Sequence, residues 1–278
     1  MSMVIAEFLS SIHMPDEAAE AILDAGSKSE VKEILSSDDF ERLCFYPTAE
    51  EAGKHIRERL SGKDGRGFSE LFIHCAAAVR NRNEGCWKSF DGDIFTATFG
   101  CFSRFVNESL VSYGYYAFDR GFWTIRQIGA VLFRLGALEY EICRDEKRVQ
   151  IHIPSDADLR RNSISASLAM EMEFMKNHFP EVCGWTHSCG SWLLSPALPE
   201  LLPETSNILA FQRRFSLVKT DPEARDYLQW VYKFADPDRS SINLNELPEN
   251  TSLQKRMKEF VLAGGRVGVG YGDLTDRK

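Results

Sequence analysis

Residues 149–168 read VQIHIPSDADLRRNSISASL. Val149, Ile151 and Ile153 alternate with Gln150 and His152, the period-two pattern of a half-buried strand. Pro154 stops the run, a polar stretch follows, and a helical pattern begins. Ser163 is the expected N-cap of a helix reaching about His178, with Leu168, Met172, Met175 and Phe179 on one stripe. A strand that opens through a loop onto a helix N-terminus turns backbone N–H groups and a partial positive charge toward one point. That is a common way to build an anion site.

The flanks supply the rest of a sheet. VLFRLGALEYEIC (131–143) is apolar on both faces and reads as one central strand. RDEK (144–147) is a turn, so VQIHIP is the second arm of a hairpin. A four-residue loop places Glu139 opposite His152 and Glu141 opposite Gln150. Downstream, WTHSCGSWLLSP (185–196) is strand-like, SNILAFQRRF helical and FSLVK extended. Asp221-Pro222-Glu223 reads as the start of a helix ending near Phe234. A helix over 252–263 stops at Gly264-Gly265, and RVGVGYGDL is a final strand.

Upstream the texture is helical. PDEAAEAILDAG starts at Pro15, and Thr48 with Glu51 matches a capping box ahead of a helix that Gly62 ends. SELFIHCAAAVR opens at Ser69, and DIFTATFGCFSRFVNESLV reads as one long aromatic-rich helix from Asp93. The expected fold class is therefore α+β, with a helical domain over 1–122 and a mixed-sheet domain over 123–278.

Bulk properties narrow the function classes. The 278 residues are 44% hydrophobic and 27% charged, the balance of an ordinary globular protein. A net charge of −8 disfavours a nucleic-acid partner, whose affinity would come from clustered Lys and Arg. No stretch approaches the roughly 18 apolar residues of a membrane span. Seven dispersed cysteines read as reduced thiols, so a cytoplasmic location without membrane contact is expected. Cys183, His187 and Cys189 lie close in sequence but lack C-x-x-C spacing and a second ligand cluster, so no metal is expected.

FRLGALEYE, VQIHIP with its loop, CGSWLLSPALPELLP and SNILAFQRRFSLV occur in this order. Together they resemble a bacterial acyltransferase-type family with a helical N-terminal domain and a GNAT-like C-terminal domain. The resemblance implies the fold of acyl-CoA N-acyltransferases, with acyl-CoA or coenzyme A as co-substrate and a small-molecule amine as acceptor. The loop after VQIHIP would hold the pyrophosphate through Ser155, Arg160, Arg161, Asn162 and Ser163. HSCGSWLLSP would splay away to leave a slot for the pantetheine arm, which Ser191 and Asn207 could line, and the helical domain would cover the acceptor side. Asn207 has a second reading as a helix cap.

Two features hold the alternatives open. The loop PSDADLRRNS lacks the Q/R-x-x-G-x-G/A glycines of that superfamily and carries Asp156 and Asp158, which repel a pyrophosphate unless Arg160 and Arg161 turn inward. A non-catalytic binding module on the same fold is thus the alternative to an N-acyltransferase. Glu139 beside His152 is the pairing wanted of a base that deprotonates an amine, and equally of a structural pair tying two strands. The oligomeric state is not encoded in any of these features.

Overall fold

The computed structural model describes residues 3–234 and 242–276, which divide into two units, 1–134 and 135–278. The first unit is built from helices: α1 (Ile5–Ser11), α2 (Asp16–Ala25), α3 (Ser29–Leu35), α4 (Asp38–Leu43), α5 (Tyr46–Leu60), α6 (Phe68–Asn83), α7 (Gly92–Phe99), α8 (Cys101–Tyr113) and α9 (Gly121–Ile128). The stretch from Asp93 is two helices, not one. Gly100, among the weakest helix formers, separates α7 from α8. Thr48 forms no capping box either. Its hydroxyl lies inside the first turn of α5, donating to Arg42 O and Phe45 O, and Glu51 instead pairs with Arg42.

Aromatic rings make this unit's core. Fully buried Trp87 meets Phe95, Phe99 and Phe133 at centroid distances of 5.5, 5.4 and 5.3 Å. Its indole N–H donates to Gln127 O at 2.7 Å, which satisfies the one polar atom the ring buries.

From Leu132 onward the chain forms a six-stranded mixed sheet in the order β1-β2-β3-β4-β6-β5, made of β1 (Leu132–Leu135), β2 (Leu138–Cys143), β3 (Arg148–His152), β4 (Thr186–Ser191), β5 (Phe215–Asp221) and β6 (Val269–Leu274). Residues 131–143 are thus two strands. Gly136, at a left-handed φ of 72°, turns the chain between β1 and β2. The run is apolar throughout because Leu132, Phe133, Leu135 and Leu138 are all buried, so alternation could not mark the break.

Helix α10 (Arg161–His178) joins β3 to β4 and covers one face of the sheet. Ser167 fastens it there, its hydroxyl accepting Leu138 N–H at 3.1 Å and lying 3.0 Å from Tyr140 Oη. The buried stripe is Ile164, Leu168, Glu171 and Met175, whereas Met172 is half exposed. After β4 come α11 (Leu198–Leu201), α12 (Asn207–Gln212), α13 (Asp226–Trp230) and α14 (Ser252–Leu262). Asp221 starts no helix. It ends β5, and its carboxylate accepts the Glu223 N–H in a tight turn before α13 begins.

Candidate active site

β3 and β4 run parallel and pair at Arg148–Thr186, Val149–His187 and Gln150–Ser188. There the pairing stops. β3 continues to His152, while β4 continues to Ser191 paired on its other side with β6 as far as Gly270. The two strands part at Ile151 and Cys189, and the sheet opens between them.

The β2–β3 register follows the four-residue turn: Glu139 faces His152 and Glu141 faces Gln150. Glu139, Glu141, Gln150 and His152 share the face turned away from α10, because Tyr140 reaches α10 from the other. Glu141, on the same face as the directly opposed Glu139, binds the imidazole. His152 Nε2 lies 2.8 Å from Glu141 Oε2, a diagonal contact between mostly buried side chains. A carboxylate on Nε2 favours the tautomer that carries its proton on that nitrogen. On the same face Ser188 Oγ donates to Gln150 Oε1 at 2.8 Å, at the last paired position before the opening.

Beyond β3, Pro154 to Arg160 form the loop, and α10 starts at Arg161, two residues before the expected Ser163 cap. Asp158 organises the turn. It accepts the Arg160 N–H at 3.0 Å, the Arg160 guanidinium and the Ser163 hydroxyl. These bonds, the Arg160 guanidinium first, hold the Asp158 carboxyl well below the usual carboxylate range. Arg160 is therefore spent on its own loop. Ser155 and Asn162 are exposed, in the loop and the first turn of α10.

Arg161 points elsewhere. It lines a cavity of 260 Å³ at the N-terminus of α10, together with Ile164, Phe211, Arg213, Arg214 and Asp276. Arg214 is buried and donates to Ser165 Oγ at 2.8 Å, tying the end of α12 to the first turns of α10. Three arginines against one carboxylate, beside the positive end of an 18-residue helix, make an anion-attracting pocket. Sequence reasoning missed Arg213 and Arg214. Their signal was the adjacent pair in QRRF at the end of a short helix.

The remaining candidates are placed as follows. Ser191 Oγ accepts the Leu193 N–H and caps a single 3-10 turn. Asn207 is the first residue of α12, whose cap is Ser206. Burial pushes the Cys189 thiol up to about 12, as for an inert core cysteine. His187 is buried against Glu171 of α10 at 2.9 Å. Among the described residues no three His, Cys, Asp or Glu side chains cluster as metal ligands would.

Residues 132–274 match the model of the GNAT-like C-terminal domain, and residues 3–130 that of the N-acyltransferase N-terminal domain. No curated protein matches the sequence. Solved acyltransferases share the fold. One in complex with decanoyl-CoA superposes with a TM-score of 0.78 at 21% identity, over 97% of this chain and 86% of that one. One with decanoyl-CoA and teicoplanin gives 0.74 at 21% identity, over 96% and 86%. Another, with CoA and 10C-teicoplanin, gives 0.67 at 18% identity, over 98% and 99%.

Proposed function

Starting from a chain that belongs to the family with an N-acyltransferase N-terminal domain and a GNAT-like C-terminal domain, we propose that it is an acyl-CoA-dependent N-acyltransferase acting on a small-molecule amine. The observation that carries this reading is the opening between β3 and β4 beside the Glu141–His152 pair. The pantetheine arm lies in that opening. The phosphates lie at the N-terminus of α10, held by backbone N–H groups of the loop and by Arg161, Arg213 and Arg214.

The residues then supply simple chemistry. His152 Nδ1 takes a proton from the acceptor nitrogen as that nitrogen attacks the thioester carbonyl, and Glu141 stabilises the imidazolium so formed. The C–N bond forms, the C–S bond breaks, and the thiolate leaves with a proton as coenzyme A. The missing loop glycines are no obstacle in this arrangement. The charge is drawn from the arginine cavity, and Asp158 is occupied by Arg160 and Ser163. The solved acyltransferases with bound decanoyl-CoA and teicoplanin add support for an acyl-CoA donor.

The test is thiol release from acetyl-, octanoyl- and decanoyl-CoA across a panel of amines. Amine-dependent release that His152→Ala abolishes supports the reading. Tight acyl-CoA binding without release for any amine favours the binding module instead.

A further inference from the structure

β3 and β4 are tied by their side chains at the last position where their backbones pair. Gln150 of β3 stands beside Ser188 of β4, and the Ser188 hydroxyl donates to Gln150 Oε1 at 2.8 Å. One residue further along, the strands part. The chemistry of His152 and Glu141 leaves Gln150 without a task. Resting on the acyl-CoA reading, we infer that the Gln150 side-chain amide is the hydrogen-bond donor to the thioester carbonyl oxygen, and so a catalytic residue.

The first support is the state of the amide. A glutamine side chain offers one carbonyl acceptor and two N–H donors. Ser188 occupies the acceptor, which fixes the orientation of the amide, and among the described residues the Gln150 amide nitrogen donates to no protein group. A half-buried side chain held at its oxygen end thus keeps both donors unspent where the sheet opens. Arg148, its neighbour on the same strand face, is instead taken by Asp273 at 2.7 Å.

The second support is spacing. Gln150 and His152 share the face turned away from α10 and stand two residues apart on β3, or about 7 Å along the strand. A tetrahedral carbon with one hydrogen bond of about 2.9 Å at its nitrogen and another at its oxygen bridges a distance of that size. With His152 at the nitrogen end, Gln150 is placed for the oxygen end.

The step balances without any change in the glutamine. As the amine nitrogen attacks, the carbonyl π pair moves onto oxygen, and the amide N–H groups meet the charge that develops there. That pair returns as the C–S bond breaks and the thiolate leaves. Gln150 gains and loses no atom.

Infrared spectroscopy of decanoyl-CoA labelled with carbon-13 at its carbonyl, bound to the full chain, reads this contact without an acceptor. The C=O stretch should fall below its solution value with the wild type and return toward it in Gln150→Leu and Gln150→Glu. Binding should weaken in both by no more than about tenfold, the size of one neutral hydrogen bond. With an accepting amine, kcat should fall by about 10²–10³-fold, the usual cost of one such donor. Ser188→Ala breaks the tie and keeps the amide, so it should retain the shift and lose less than about tenfold in kcat. Melting temperatures of the three variants report folding.

A stretch lowered equally in wild type and Gln150→Leu would assign the carbonyl to another donor, such as a backbone N–H. That result would overturn the inference and leave the acyl-CoA reading intact. So would Ser188→Ala matching Gln150→Leu in both readouts, since the pair would then only hold the strands together. Failure of the wild type to bind decanoyl-CoA would overturn both.

Discussion

His152 is bonded to Glu141, two residues along β2 from the Glu139 that stands directly across from it. The carboxylate at 2.8 Å holds the imidazole in place on that strand face.

His152→Ala should lower turnover by about 10²–10⁴-fold, the usual contribution of a general base. Glu141→Gln should cost less, because the imidazole stays on β3 and loses only the carboxylate bonded to it. Glu139→Gln should cost less still. Steady-state kinetics of the three variants decide it. A larger loss for Glu139→Gln than for Glu141→Gln would reverse the assignment.

Arg161→Ala and Arg213→Ala should each weaken coenzyme A binding about tenfold or more, the size of a hydrogen bond to a charged group at about 1.5–3 kcal/mol. Added salt should reproduce part of the loss. Arg160→Ala should have a smaller effect, since its guanidinium already serves Asp158. Calorimetric titrations with coenzyme A measure all three.

Trp87→Ala should destabilise the first unit by about 3–5 kcal/mol, as deleting a large core ring does. The loss removes four ring contacts and leaves Gln127 O without its donor. Chemical denaturation would show it as a lower midpoint.

Burial holds the His74 imidazole down to about 3 from its ordinary 6.5. The unfolded chain takes that proton below about pH 6.5 and the folded chain refuses it until about pH 3. Stability from this group is therefore complete above 6.5 and lost as pH falls toward 3, at up to about 1.4 kcal/mol per pH unit. His74→Gln should flatten that slope in denaturation curves taken between pH 7 and 4.

The β2–β3 register was legible because a four-residue turn between alternating strands admits one pairing, and the turn RDEK is plain in the sequence. The partner of His152 was not, since a diagonal contact depends on strand twist and rotamer. The start of α10 shifted because Asp158 draws both the Arg160 N–H and the Ser163 hydroxyl, taking Ser163 away from capping. Arg213 and Arg214 gain meaning only when α12 comes to rest beside α10, a tertiary event with no local signature.

Hydrogen exchange of the full chain, with and without decanoyl-CoA, tests most directly whether the donor lies in the β3–β4 opening. Added protection should concentrate in 151–165, in 189–191 and around Arg213. Saturable binding with protection confined to other segments, or no protection at saturating decanoyl-CoA, would contradict the account.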